Sequence, residues 1–204
     1  PDGRTALMDA AAQGHVQCVE RLLTAGANTC ATMHHGFHAL LLAALHGHAS
    51  VATLLCDAGA MPVDSADVDG TTPLTIAAQR GHAQCVRALI MARADMEASR
   101  ADGMGALAYA ALGGHAPCVR LLVLASAALS VEDGSGWSPI LYAAHGGHLE
   151  CIRLLVAASA SADHARSNGF TPLMAAAAAG RPKSVLLLRA LGATAALLKR
   201  AGCY

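Results

Sequence analysis

Cysteine and histidine are the residues of this chain best suited to metal or redox chemistry. The chain has seven cysteines and eleven histidines in 204 residues. Four of the cysteines recur at related spacings: Cys18, Cys85, Cys118 and Cys151. The number of cysteines is odd and none forms a C-x-x-C pair, which indicates free thiols rather than a disulfide framework. We therefore predict an intracellular, reducing location, the cytoplasm before an organelle.

Eight of the eleven histidines form two groups. Five follow a glycine and are predicted to be structural: His15, His48, His82, His115 and His148. Another three, His34, His35 and His38, lie in one short stretch. Cys30 and Met33 lie beside them, and copper or zinc binds such ligands. No carboxylate is close in sequence to orient the imidazoles, so a polar loop tip is the favoured interpretation. We predict no metal and no cofactor.

An internal repeat predicts the elements that position these residues. A three-residue opening returns with steps of 33, 34, 33, 33 and 33, at Thr5-Ala6-Leu7, His38-Ala39-Leu40, Thr72-Pro73-Leu74, Gly105-Ala106-Leu107, Ser138-Pro139-Ile140 and Thr171-Pro172-Leu173. Nine residues after each opening comes Gly-His, replaced by Gly180-Arg181 in the last unit. Apolar runs on both sides of Gly-His predict a helix, a tight turn and a helix. Helices of about ten residues need neighbours that bury their apolar faces.

A T-P-L-x-x-A-A opening, a G-H turn and a closing G-A at a 33-residue period resemble the ankyrin repeat family. The resemblance covers almost the whole chain. It implies an all-α fold, an ankyrin-repeat solenoid of stacked helix-turn-helix units with projecting β-hairpin-like fingers. We predict one domain, 1–204, with repeats at about 3–35, 36–69, 70–102, 103–135, 136–168 and 169–204.

Stacking also explains the recurring cysteines. Equivalent positions on adjacent packed helices lie roughly 8–10 Å apart, beyond the ~7 Å Cα separation that a disulfide allows. The cysteines are therefore predicted to pack as small apolar residues.

Three closing Gly-Ala pairs depart from the family pattern. The glycine suits a left-handed helix end, yet Arg93, Ser126 and Ser159 stand in its place. Modest strain or a different turn is expected there. At the C-terminal end, 194–200 is predicted to form a short capping helix, and its apolar character predicts a contact with another chain or with further residues. Because the chain begins at Pro1 without an initiator Met, we expect it to be processed, truncated or a fragment.

Several function classes are disfavoured by composition and by the absence of motifs. Fourteen basic and fourteen acidic residues balance, which argues against nucleic-acid binding. The apolar runs are shorter than the ~20 residues that span a bilayer, so no transmembrane segment is predicted. The chain contains no phosphate-loop, zinc-protease, nucleophile-elbow or dinucleotide motif. We predict that the chain is not an enzyme.

One column of the repeat collects the large aromatic residues. The residue after the finger glycine is Arg4, Phe37, Thr71, Met104, Trp137 or Phe170, so the column holds both Phe and the one Trp of the chain. In ankyrin proteins this position, the finger tip before it and the two residues before Gly-His face the concave partner-binding surface. Carried over by position, the resemblance selects His34, His35, Phe37, His46, Arg80, Arg100, Met104, Trp137, His145 and Phe170. Aromatic residues and arginine dominate binding hot spots. The alternative is that these rings only pack between neighbouring fingers.

We therefore predict a non-catalytic protein–protein interaction module, or scaffold, that binds a protein partner through its concave face and finger tips. The alternative is a structural accessory subunit of a large multi-protein assembly, including a membrane-associated one, held by its ends or convex face.

Overall fold

The structure, a computed structural model, describes residues 3–59 and 61–193. Twelve helices occur in these ranges, in pairs: α1 Ala6–Gln13 and α2 Val16–Thr24, α3 Ala39–His46 and α4 Ala49–Asp57, α5 Pro73–Arg80 and α6 Ala83–Met91, α7 Ala106–Leu112 and α8 Ala116–Leu124, α9 Pro139–Gly146 and α10 Leu149–Ala157, α11 Pro172–Ala178 and α12 Pro182–Ala190. Each pair corresponds to one predicted repeat, and the all-α prediction is confirmed. The predicted capping helix at 194–200 lies outside the described residues.

The chain divides into two compact units, Pro1–Ala106 and Leu107–Tyr204, called unit 1 and unit 2 below. In unit 1, α1 packs on α3 and α3 on α5, while α2 packs on α4 and α4 on α6. In unit 2, α9 packs on α11, α8 on α10 and α10 on α12. Each unit thus has a row of odd-numbered and a row of even-numbered helices. The assignment of a single domain over 1–204 stays a prediction.

The first residue of the repeat opening caps four of the odd-numbered helices with its side chain, at Thr5, His38, Thr72 and Thr171, whereas Ser138 makes no such bond. Thr5 Oγ1 accepts a hydrogen bond from Met8 N at 3.3 Å. His38 caps with its ring, whose Nδ1 accepts from Leu41 N at 3.3 Å. Such caps satisfy N–H groups that no carbonyl of the helix can reach. Side chains of different chemistry therefore start helices at the same register.

Small residues allow the helices of each unit to pack closely. An alanine pair is buried in each odd-numbered helix from α1 to α9: Ala10 and Ala11, Ala43 and Ala44, Ala77 and Ala78, Ala110 and Ala111, Ala143 and Ala144. Cys85, Cys118 and Cys151 are also fully buried, as packing predicts, whereas Cys18 is exposed. Burial raises the pKa of the Cys85 and Cys151 thiols to about 11. Both thiols are neutral at neutral pH.

The three non-glycine helix ends keep the left-handed turn. The φ angles are 63° at Arg93, 68° at Ser126 and 77° at Ser159. Gly26, at the equivalent position after α2, has a φ of 78°. An L-residue in this region costs roughly 1–2 kcal/mol. The sequence predicted either modest strain or a different turn at these three positions. The structure has the same turn, with the strain in the backbone.

Candidate functional site

Each finger is a tight hairpin closed by two backbone hydrogen bonds. In the fifth finger, Asp133 N donates to Trp137 O at 3.1 Å and Gly136 N donates to Asp133 O at 2.9 Å. Gly136 has φ of 77°, which this turn requires. The same two bonds close the fingers that begin at Met33, Asp67, Arg100 and Arg166. The predicted hairpin-like fingers are confirmed, and the residue after the glycine has a fixed place at the base of each.

In unit 2, four rings gather around the base of the fifth finger. The ring centroid of Trp137 lies 5.1 Å from that of Tyr142, 5.4 Å from that of His145 and 6.2 Å from that of Phe170. The His145 ring is perpendicular to the indole, a favoured edge-to-face arrangement. Arg166 Cζ lies 5.8 Å from the indole centroid, within cation–π range. We call these five residues the Trp137 cluster.

The cluster is accessible as well as packed. Trp137, Tyr142 and Phe170 are half-buried, and His145 is exposed. Trp137 and Phe170 belong to successive fingers, so these rings do pack between fingers, as the alternative interpretation predicted. Their remaining exposed area is nevertheless apolar surface that a second molecule can cover. The packing and the binding interpretations are therefore compatible for this cluster.

Asp133 anchors the cluster through its carboxylate. Its Oδ1 accepts hydrogen bonds from Ser135 N at 2.8 Å and Trp137 N at 2.9 Å, and its Oδ2 accepts from the Tyr142 hydroxyl. Partial burial by itself raises the pKa of this carboxyl, but the hydrogen bonds and the charge of Arg166 outweigh burial and lower the pKa. The ionised carboxylate thus fixes Trp137 and Tyr142 relative to each other.

Side chains tie the fifth finger to the sixth. Arg166 donates from Nη2 to the carbonyl of Ser135. His164 Nε2 lies 3.0 Å from Glu132 Oε1. The Arg166 guanidinium therefore both links the fingers and lies over the face of Trp137, which holds Phe170 and Trp137 on neighbouring hairpins within contact distance.

The sequence-predicted residues of unit 1 are more dispersed. His34, His35, His46 and Arg80 are exposed, and Phe37 is half-buried without an aromatic ring contact among the described residues. The rings of His46 and His48 lie 6.3 Å apart.

The two remaining candidates, Arg100 and Met104, lie in the fourth finger. Arg100 is half-buried, and Met104 is only 7% exposed. A side chain as buried as Met104 offers little area to a partner. The described part of unit 1 therefore has predicted site residues but no aromatic cluster like that of unit 2.

The histidines of the Gly-His turns connect successive repeats within each unit. Nε2 of His48 lies 3.0 Å from Ala12 O, and Nε2 of His148 lies 3.0 Å from Leu112 O. A Cβ on Gly14 would lie 2.4 Å from Nδ1 of His48. The glycine of one repeat thus makes room for the histidine of the next, and His48, His82 and His148 have the structural role predicted for them.

The stretch from His34 to His38 does not assemble a ligand set. His38 is only 1% exposed, and its ring nitrogens contact Leu41 N and Ser65 O. Among 3–59 and 61–193, no three histidine, cysteine or acidic residues group as metal ligands do. Over the same residues, no helix has the length and apolar character needed to cross a membrane.

Three members of the site escaped sequence reasoning: Asp133, Tyr142 and Arg166. Asp133 and Arg166 occupy the same position on successive fingers, where the sequence shows no constant residue. Tyr142 lies in a column with Leu42 and Ile76, which is typical of core. The Tyr142 hydroxyl could have identified it as a site residue, because a buried or half-buried tyrosine usually needs a hydrogen-bond partner.

A family model for ankyrin repeats matches the chain in three copies, at residues 1–65, 60–133 and 107–197. The chain belongs to the ankyrin repeat family. Ankyrin repeats are generally non-catalytic modules that bind protein partners.

Solved ankyrin structures resemble this one over nearly its full length. The human ASB11 ankyrin repeat domain has a TM-score of 0.85 and 29% identity, covering 94% of this chain and 85% of that chain. The ankyrin repeat domain of Bcl-3, a member of the IkappaB family, has a TM-score of 0.84 and 29% identity, covering 95% of this chain and 89% of that chain.

Two curated relatives match over shorter stretches. Ankyrin repeat domain-containing protein 29 of Danio rerio is 41% identical over 31% of this chain and 21% of its own length. The probable E3 ubiquitin-protein ligase XBOS32 of Oryza sativa subsp. japonica is 35% identical over 43% of this chain and 24% of its own length. The chain thus spans under a quarter of the length of each of these two relatives.

Proposed function

We propose that this ankyrin chain is a non-catalytic protein-binding module whose principal contact is the Trp137 cluster of unit 2. The observation behind the proposal is that four rings meet at one finger base and remain partly exposed. In a chain with 3% aromatic residues, such a concentration is unusual. Large aromatic residues next to arginine are also what binding hot spots contain.

Rigidity supports the same proposal. Asp133 and Arg166 hold the rings before any partner arrives, so binding orders few additional side chains. Each rotamer-rich side chain immobilised on binding costs about 0.5–1.5 kcal/mol. A pre-ordered cluster avoids that cost and presents a fixed apolar surface.

Unit 1 is proposed to contribute a second, more polar contact. Its exposed residues are His34, His35, His46 and Arg80, and Phe37 is half-buried at the base of its finger. Arg100 and Met104 belong to the same proposed set, although Met104 has little exposed area. Because these side chains lack a shared aromatic cluster, we expect each to contribute less than Trp137.

The experiment compares binding of a purified partner, first obtained by affinity capture and mass spectrometry, to matched variants. Alanine at both Trp137 and Phe170 is expected to weaken binding about 30-fold or more, the effect of at least one hot spot. Leu124→Ala, which truncates an exposed side chain at the end of α8, is expected to change affinity less than about 2-fold. Equal affinity of the double variant and the wild type, with unchanged circular dichroism, would refute the proposal.

A structural accessory subunit is the second candidate, supported by apolar surface away from the fingers. Leu124 and Leu186 are 76% and 67% exposed on even-numbered helices of unit 2. Ala177, Val185 and Leu186 also line a shallow apolar depression of about 400 Å³. If alanine at Leu124 and Leu186 abolished assembly while alanine at Trp137 and Phe170 had no effect, this candidate would replace the first.

A further inference from the structure

Arg181 differs from the residue found at its position in the other repeats. Five repeats have histidine there, and Nε2 of His48, His82 and His148 each lies 3.0 to 3.2 Å from a carbonyl of the preceding repeat. Arg181 makes the corresponding bond, donating from Nε to His145 O at 3.2 Å. The structural requirement of the turn is therefore met by one of the nitrogens of Arg181.

The guanidinium of Arg181 has donors left over. Arginine has five N–H groups, and its two Nη nitrogens carry four of them. The side chain is exposed, and no carboxylate among the described residues pairs with it. By contrast, Arg120 and Arg153 of the same unit both pair with Glu150. An imidazole at this position would donate its one N–H to the carbonyl and keep none for a ligand.

His145 joins this cation to the Trp137 cluster. Its carbonyl accepts the bond from Arg181, and its ring centroid lies 5.4 Å from that of Trp137. His145 therefore contacts both groups, with its backbone carbonyl bonded to the Arg181 guanidinium and its exposed ring against the half-exposed indole. Through His145, the Arg181 guanidinium, which can bind a carboxylate, and the apolar ring of Trp137 lie next to each other.

We propose that Arg181, His145 and the Trp137 cluster form one recognition site for an acidic peptide segment of a protein partner. The segment has an Asp or Glu next to an apolar residue. Its carboxylate binds the two Nη groups of Arg181, a geometry that suits the planar guanidinium. Its apolar side chain covers Trp137 and Phe170. This inference rests on the proposed function and adds the chemistry of the partner.

Charge near the site favours a single carboxylate over a polyanion. Asp133 accepts a hydrogen bond from Tyr142 of the Trp137 cluster, and the neighbouring Glu132 pairs with His164. The formal net charge of the whole chain is zero. A phosphate backbone would bring many charges towards these carboxylates, whereas one Asp or Glu on a peptide needs only Arg181. Nucleic acid is therefore an outcome of the test, not the expected ligand.

The test selects peptides from a random displayed library on the whole wild-type chain and measures the affinities of the selected peptides by calorimetry. Trp137 is the one tryptophan of the chain, so its emission reports directly on occupancy of the cluster. The main variant is Arg181→His, which supplies the residue that this turn has elsewhere and removes the spare donors. Arg189→His, at an exposed position of α12, is the matched control for charge.

We expect selected peptides to contain Asp or Glu beside an apolar residue and to shift the Trp137 emission. Arg181→His should weaken their binding about 10-fold or more, as loss of a charge-assisted hydrogen bond does, while Arg189→His should not. Changing the peptide Asp or Glu to its amide should cost a similar factor in the wild type and little in Arg181→His. The comparison of acidic and amide peptides on the wild type keeps the test valid even if Arg181→His folds poorly.

Different results separate the inference from the proposed function. Peptides that need Trp137 but not Arg181, or that show no acidic residue, would overturn the acidic-segment inference and leave the protein-binding function intact. If no selected peptide depends on Trp137, both fail. Equal or tighter binding of a single-stranded oligonucleotide, lost in Arg181→His, would replace the peptide with a nucleic acid.

Discussion

The third and fifth fingers have the same backbone hydrogen-bond pattern but carry different residues at the base. Asp67 accepts hydrogen bonds from Asp69 N and Thr71 N at 2.9 and 2.8 Å, as Asp133 does from Ser135 N and Trp137 N. After the finger glycine, however, the third finger has the buried Thr71 and the fifth has the half-exposed Trp137. The hydrogen bonds that close the hairpin therefore do not depend on which residue follows the finger glycine.

Neighbouring fingers are also linked differently in the two units. In unit 1 the links include backbone hydrogen bonds, from Val68 N to His35 O at 3.0 Å and from Ala101 N to Asp69 O at 3.1 Å. Two further bonds in unit 1 use a side chain, from Asp95 N to Asp64 Oδ1 and between His38 Nε2 and Ser65 O, both at 2.9 Å. In unit 2, the side chain of Arg166 bonds to a backbone carbonyl, and His164 pairs with Glu132. Backbone links tolerate most substitutions, whereas side-chain links depend on residue identity. Specialisation for binding is thus expected in unit 2.

The largest effect on stability is expected at the aromatic cluster. Trp137→Ala should lower the free energy of unfolding by about 3 kcal/mol, because it removes three ring contacts and half-buried apolar area. Phe37→Ala, without such ring contacts, should cost about 1 kcal/mol. Urea unfolding followed by circular dichroism measures both. Equal losses would mean that the two fingers are not distinguished by ring packing.

The next effect separates the two finger aspartates. Asp133→Ala should cost about 2–3 kcal/mol and Asp67→Ala about 1–2 kcal/mol, since only Asp133 also accepts from a tyrosine hydroxyl. Tyr142→Phe should then be nearly neutral in the Asp133→Ala background, which a double-mutant cycle detects. Additive losses for Asp133→Ala and Tyr142→Phe would show that the bond contributes nothing.

A smaller effect is expected from acidification, and it should begin in unit 1. Burial lowers the pKa of His38, although Ser65 O and Asp67 partly oppose it. The unfolded state therefore binds more protons as pH falls through the ordinary histidine pKa of about 6.5, and stability falls there and levels off below the folded pKa. Asp133, whose pKa is lowered, contributes fully above about pH 4 and loses its contribution below it.

His38→Thr is the matched variant for the pH effect, because threonine caps the equivalent helix from Thr72. We expect wild type to lose more stability than His38→Thr between pH 7.5 and pH 5.5 in urea titrations. Both proteins should lose stability below about pH 4. Identical curves above pH 5 would exclude His38 as the source.

The smallest effect concerns the strained helix ends. Ser159→Gly should stabilise by about 0.5 kcal/mol, because relief of the left-handed strain exceeds the added entropy of the unfolded chain. Gly26→Ser, in unit 1, should destabilise by a similar amount, since a Cβ there meets no atom within 4 Å and only the backbone is strained. Thermal melts of both variants check the sign. Stabilisation by Gly26→Ser would contradict the strain argument.

The sequence predicted much of the fold and part of the site. The 33-residue period fixed the helix pairs, since apolar faces must coincide from one repeat to the next. Trp137, His145 and Phe170 were selected by position, and the structure brings them together. Met104, selected by the same rule, is buried, because a column position does not specify how much neighbouring residues cover it.

By itself, the sequence determined the repeats, the helix starts, the buried cysteines and the column that holds the aromatic residues. Only the tertiary structure decided that Tyr142, Asp133 and Arg166 join Trp137, and that the Arg181 guanidinium keeps spare donors beside His145. The physical reason is that a repeat pattern records what every unit needs to stack. Contacts between side chains on successive fingers depend on distances that arise only once the units have stacked.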